Sequence, residues 1–216
     1  MVTQRKKNIQ KVKKKNLLMI FTRNPELGKC KTRLAATIGD HAALEVYELL
    51  LAHTVSITKN LTVAKEVYYS TRIGENDIWN STVYDKKQQE GEDLGDRMYN
   101  AFKSGFKAGY TNIIIIGSDM YDLSQSDIQN AFNALKTNDY VIGPAEDGGY
   151  YLLGMKTLNS KVFQNKSWGT NTVLQNTLND LQQTTIKLLE ERNDIDYYED
   201  IKDISVFQHL LSYQND

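Results

Sequence analysis

The sequence predicts an α/β fold in which a mostly parallel sheet is covered by helices, and three observations point to it. Residues 113–116 are four consecutive isoleucines; such a run cannot present one polar face, so it reads as a strand buried on both sides. Short apolar runs of this kind alternate along the chain with stretches of helical spacing. The length, 216 residues, is enough for one full sheet with helices on both faces and requires no second core.

Taken in order, residues 16–21 read as the first strand and residues 22–34 as a loop leading toward a helix. Gly28 permits close backbone approach there, and Arg23, Lys29, Lys31 and Arg33 place four cations in one connection. Such a loop can cradle phosphates; otherwise its cations face solvent. It is not a Walker loop, because Cys30 follows the Gly-Lys pair and Arg23 stands where the first glycine belongs. From Asp40, read as an N-cap, Ala43, Val46, Tyr47, Leu50 and Ile57 mark a packing helix with His53 at its core edge. Residues 65–70 and 81–84 are strand candidates around a turn at Gly74.

A helix capped by Asp93 follows, carrying Met98, Ala101, Phe102, Gly105 and Phe106. Gly91 and Gly95 near its start can approach a ligand, and Arg97 in its first turn opposes the helix dipole, which calls for another reason to be there. After the central strand, Gly117 lets the backbone turn and Asp119 arrives just past the carboxyl end, where open α/β sheets place their ligands. A carboxylate there can bind Mg²⁺ or Mn²⁺ and, through it, a diphosphate. The alternative is that Asp119 caps the helix beginning near Ser124. Residues 126–135 read as that helix and 139–143 as the next strand.

The stretch 143–154, GPAEDGGYYLLG, ends a strand, turns and returns as an apolar strand. It reads as a plain hairpin, or as a dock for a sugar or ribose ring in which Glu146 and Asp147 stand beside the bare backbone of Gly148 and Gly149. Thr170 or Asn171 can cap a helix over 173–181, and 185–189 reads as a last strand. Asp194 and Asp196 flank one apolar residue and can share a cation in an extended segment. On spacing alone, the preferred reading is that they cap a final helix over 199–211.

Charge is unevenly placed. Residues 1–15 hold seven cations and no acid, leaving 19 basic and 27 acidic side chains in a body of net negative charge. This predicts a basic, flexible tail at 1–15 and a single domain at 16–216, and the acidic body argues against nucleic-acid binding. A lone cysteine, Cys30, excludes an internal disulfide and fits a reducing, cytoplasmic compartment. With three scattered histidines it also makes a structural zinc site a poor fit. No apolar stretch is long enough for a secretory signal or a membrane span.

Together, KTRL at 31–34, LGDRM at 94–98, GSD at 117–119, GPAEDGGYYLLG and DID at 194–196 occur in an order that resembles the bacterial DUF2064 family. That family is described as nucleotide-diphospho-sugar transferases or glycosyltransferases of GT-A fold. The resemblance covers about residues 16 to 210, with GPAEDGGYYLLG its most specific part. Tyr121, Arg23 and Gly169 depart from residues usual in the family, which bears on substrate choice more than on nucleotide binding.

The resemblance implies a Rossmann-like three-layer α/β/α sandwich of GT-A type. It also implies a metal-dependent glycosyltransferase that takes a sugar from a nucleoside diphosphate sugar to an unspecified acceptor. Asp119 and Asp196 are then the metal residues for Mg²⁺ or Mn²⁺. Arg23, Lys31, Arg33, Gly95, Arg97 and Ser118 are the nucleotide and phosphate residues, Gly148 and Gly149 the substrate residues, and Asp147 or Glu146 the base. Two other readings stand beside it. One is a nucleotidyltransferase using a nucleoside triphosphate and a phosphorylated small molecule; the other is a non-catalytic nucleotide-binding module.

Overall fold

The computed structural model describes residues 14–211. Among them, seven strands form one sheet: β1 (Lys14–Thr22), β2 (Ala64–Tyr69), β3 (Asp85–Gln88), β4 (Tyr110–Ile116), β5 (Tyr140–Pro144), β6 (Tyr150–Met155) and β7 (Ile186–Leu188). Their order is β3-β2-β1-β4-β6-β5-β7. β6 runs antiparallel to both its neighbours and every other pairing is parallel. The predicted α/β class and mostly parallel sheet are therefore present. Of the basic tail assigned to 1–15, residues 1–13 lie outside the described residues. Lys14 and Lys15 belong instead to β1, where Lys14 pairs with Tyr110.

The isoleucine run behaves as its sequence requires. Ile114 and Ile116 enter one core, while Ile113 and Ile115 enter the other. Leu17 and Met19 in β1 alternate with Leu18 and Ile20 in the same way. The first core is closed by α2 (Asp40–Thr58) and α4 (Gln125–Ala134), and the second by α3 (Leu94–Lys107) and α5 (Val173–Asp180). A third cluster lies on the outer side of α2. There α1 (Thr32–Ile38) and the C-terminal segment bury Leu34, Val46, Leu50, Ile195 and Phe207.

Several expectations need correction. The segment 81–84 is a turn: the Asn80 carboxamide accepts hydrogen bonds from the Thr82 backbone N–H and hydroxyl, each at 2.9 Å, a local bond that competes with strand pairing. The strand is the polar edge segment that follows, whose lack of any apolar residue hides it from a hydrophobic pattern. Gly39 rather than Asp40 holds the N-cap position of α2, because α1 ends at that glycine. Thr172 occupies the N-cap of α5, while the Thr170 hydroxyl donates to Ser167 O. The single helix expected over 199–211 is two 3₁₀ turns followed by α6 (Gln208–Leu211). Ile201, Ile204, Phe207 and Leu210 all pack into the third cluster, and their spacing of three matches the 3₁₀ period rather than 3.6.

Asp119 does not cap α4. Ser124 does, in a reciprocal capping box: its hydroxyl accepts from the Asp127 N–H while the Asp127 carboxylate accepts from the Ser124 N–H. Ser124→Ala is expected to cost about 1 kcal/mol of stability, read as a lower urea midpoint at unchanged slope.

Candidate nucleotide site

Because β6 alone is reversed, the loops after β1, β4, β5 and β7 all emerge at one edge of the sheet. The loop after β1 is pinned by Asn24, whose carboxamide accepts from the Thr71 and Arg72 backbone N–H groups at 3.1 and 3.3 Å and donates to Arg72 O at 2.8 Å. Buried Cys30 donates its thiol to Asn24 O. The loop closes at Lys31 in left-handed backbone geometry, φ 47° and ψ 47°, which costs a non-glycine residue about 1–2 kcal/mol.

That strained residue directs its ammonium between two carboxylates. Lys31 Nζ lies 3.0 Å from Asp119 Oδ2 and 3.0 Å from Asp196 Oδ1, with its side chain 6% exposed. Arg33 Nη1 adds a 3.1 Å pair to Asp196 Oδ2. Burial opposes the charge on Lys31, yet Asp119 and then Asp196 outweigh it and hold the ammonium above its usual pKa. Burial also pushes the Asp119 carboxyl up, but Lys31, with a smaller contribution from Arg23, brings it below the ordinary value. Gly117 makes room for this carboxylate, since a Cβ there would stand 2.7 Å from Asp119 Oδ1.

Asp194 is the third acid at this point. Burial first, and then the charges of Asp119 and Asp196, push its carboxyl up to about 6. One ammonium therefore does not fully offset the carboxylates around it. Among the described residues, no three His, Cys, Asp or Glu side chains form a ready ligand set; Lys31 bridges Asp119 and Asp196 instead.

The structure thus brings together Lys31, Arg33, Asp119 and Asp196, with Arg23 near enough for its charge to act on Asp119. Asp147 adds a smaller upward push to the Asp194 carboxyl. Asp147 Oδ1 also accepts the Gly149 N–H at 2.8 Å and so closes the β5–β6 turn. Glu146 is exposed, and its N–H donates to Arg192 O at 3.0 Å.

Five of the expected site residues have structural partners. Ser118 is 3% exposed and its hydroxyl is engaged beneath the site by Thr22 Oγ1 at 3.1 Å and Tyr47 Oη at 3.2 Å. At Gly95 a Cβ would lie 2.5 Å from Phe163 O, so this glycine permits packing of the α3 start. Arg97 donates Nε to Gly91 O at 3.1 Å and holds the loop before α3. Gly148, at φ +85°, would place a Cβ 2.3 Å from Asn171 O, and its own carbonyl accepts the Leu174 N–H. Its bareness therefore seats the start of α5. Gly149 serves the turn, a Cβ there meeting Asp147 Oδ1 at 3.0 Å.

Arg192 was not anticipated. Its guanidinium pairs with Asp122 and Asp127 at 3.1 Å each and with Glu190 at 3.6 Å, while its backbone bonds to Pro144 O and the Glu146 N–H. One residue thereby clamps the segment carrying Asp194 and Asp196 to the loops after β4 and β5. The available signal was a lone cation in the acidic run 190–196.

This sheet and its charged carboxyl edge define a Rossmann-like α/β protein related to the nucleotide transferases. The chain belongs to the DUF2064 family, described as an uncharacterized protein conserved in bacteria, whose model matches residues 53–170; the resemblance read from the motifs is borne out. A candidate nucleotide-diphospho-sugar transferase from Desulfovibrio desulfuricans G20 is 29% identical, with a TM-score of 0.80 over 92% of this chain and 94% of that one. CMP:2-keto-3-deoxy-manno-octonic acid synthetase complexed with CTP is 10% identical, with a TM-score of 0.54 over 92% and 99%. Rv0371C from Mycobacterium tuberculosis H37Rv in complex with manganese is 11% identical, with a TM-score of 0.51 over 91% and 98%. At such identities the last two share the fold. No curated protein matches the sequence. No helix among the described residues is long and apolar enough to cross a membrane.

The expectation of glycosyl transfer is corrected here. Besides the Desulfovibrio desulfuricans relative, similar solved structures include a cytidylyltransferase and synthases named for CMP or diphosphocytidyl products. Those enzymes move a nucleotidyl group and not a sugar.

The Asp194 carboxyl gives the site a pH signature. Its folded-state value near 6 exceeds the unfolded value of about 4, so the protonated form favours folding below about pH 4 and that contribution is lost as pH rises through 6. Asp194→Asn is expected to match wild type below pH 4 and to become progressively more stable than it up to pH 7, measured by denaturant unfolding in chelator.

Proposed function

We propose that this protein is a nucleotidyltransferase, in which a phosphate oxygen of a phosphorylated small molecule attacks the α-phosphorus of a nucleoside triphosphate. A new P–O bond forms, the α–β bridge bond breaks and pyrophosphate leaves with the electron pair. The observation that carries this reading is the Lys31 ammonium held 3.0 Å from both Asp119 and Asp196. A buried cation at the ligand edge of the sheet, with Arg33 beside it, is placed to neutralise charge that grows on a leaving pyrophosphate.

The nucleotide-binding relatives on the same sheet support this choice, and the fold is then of the nucleotide-diphospho-sugar transferase type, carried by one domain that includes all of β1. A phosphate nucleophile is largely ionised at neutral pH, its second pKa being about 6, so attack needs no general base from the protein. Asp147 and Glu146 accordingly serve the turn and the charge balance of the site. When the phosphorylated substrate is a sugar phosphate, the nucleoside diphosphate sugar is the product and not the donor.

The carboxylate oxygens of Asp119 and Asp196 are hard donors of the kind a divalent ion takes. Mg²⁺ or Mn²⁺ would be held by Asp119 and Asp196. Bound there, it would supply further neutralisation of the phosphates. A triphosphate offers Lys31 anionic oxygens in exchange for its present carboxylate partners, while Arg33 and Arg23 stand at the rim of the same loop.

The test is to incubate each of the four common nucleoside triphosphates with a panel of sugar and polyol phosphates and to measure pyrophosphate. Release is expected when both substrates are present, and Lys31→Met should lower turnover by about a hundredfold or more. Pyrophosphate release that is absent throughout, with a nucleoside diphosphate freed from nucleotide sugars instead, would sink the reading.

A further inference from the structure

We infer that Tyr197 is a stacking platform for the nucleobase of the bound nucleotide. The inference rests on the nucleotide reading above. Tyr197 is the most exposed large apolar side chain among the described residues, at 51%. It directly follows Asp196, which holds both Lys31 and Arg33. The Arg33 guanidinium carbon stands 5.6 Å from the centroid of the Tyr197 ring, within the range of a cation–π contact. Arg33 therefore touches the ring and the carboxylate at once.

The backbone that carries the ring is also held in place before any ligand arrives. Asp200 Oδ2 accepts the backbone N–H of Asp196 at 2.8 Å and that of Tyr197 at 2.6 Å, while Asp200 Oδ1 accepts from the Asn193 side chain at 2.6 Å. The segment is thus fixed by one carboxylate, and Ile195 and Ile201 on either side are buried in the third core cluster. Such pre-ordering lowers the entropy cost of binding. A planar ring left in solvent beside phosphate-binding cations has the chemistry to receive a planar, uncharged partner. A triphosphate bound at Lys31 and Arg33 carries its base on the ribose beyond the α-phosphate, and Tyr197 is the exposed ring that adjoins those cations.

Calorimetric titration of the four nucleoside triphosphates and of inorganic triphosphate into wild type, Tyr197→Ala and Tyr197→Phe tests the inference. Truncation to Ala is expected to weaken nucleotide binding about 5- to 150-fold, the usual size of one base–aromatic stack. Inorganic triphosphate, which has no base, should bind wild type and Tyr197→Ala alike, and Tyr197→Phe should keep nucleotide affinity. Equal weakening of both ligands in Tyr197→Ala, or weakening of neither, overturns the stack. A defect confined to the KM of the phosphorylated co-substrate overturns it in favour of a ring on that partner. Absence of binding by wild type to nucleotide and inorganic triphosphate alike is the different failure, that of the nucleotide reading, and takes the stack with it.

Discussion

The Lys31 ammonium joins residues 88 and 165 positions away along the chain, and the geometry of the whole ligand edge depends on that junction. Two carboxylates at this separation repel unless a cation stands between them, and a half-buried setting strengthens both the repulsion and its relief. The left-handed backbone at Lys31 shows that the surrounding structure overrides a local preference in order to put the ammonium there. Asp194, whose carboxyl is pushed up to about 6, marks where the compensation is incomplete.

Two further devices keep this edge in shape. Beneath it, Thr22, Tyr47 and Ser118 share a buried hydroxyl network that ties the ends of β1 and β4 to α2. Beside it, Arg192 fastens the segment after β7 to the loops after β4 and β5. Buried polar groups of this kind are costly unless paired, so each network constrains the loops to one arrangement. The parallel strands supply a common edge, and these side-chain bonds set how far apart the functional groups stand along it.

Glycosyl and nucleotidyl transfer ask similar things of such an edge, because in both reactions charge grows on a phosphate leaving group next to cations. They differ in the bond that breaks and in the nucleophile. A sugar acceptor's hydroxyl needs a base within reach, whereas a phosphate arrives already ionised. In the β5–β6 turn, Asp147 accepts the Gly149 N–H, while Glu146 is exposed and bonds to Arg192 through its backbone.

What the sequence determined by itself was whatever depends on local composition and period. The four isoleucines required a doubly buried strand, Asp93 capped its helix, and the crowded cations before Leu34 stood at the ligand edge beside Asp119. What only the tertiary structure decided was which polar group meets which. Ser118 and Asp119 are adjacent, yet one turns into the core and the other into the site, a choice made by the hydroxyls of Thr22 and Tyr47 from distant strand and helix. Gly95 and Gly148 looked like ligand contacts because a glycine reports only that something comes close. The close objects are Phe163, Trp168 and Asn171, which the chain brings there from elsewhere. Asp196 looked like a cap until Lys31 stood opposite it. Pairings across such sequence separations are set by packing and electrostatics in three dimensions, and no local pattern encodes them.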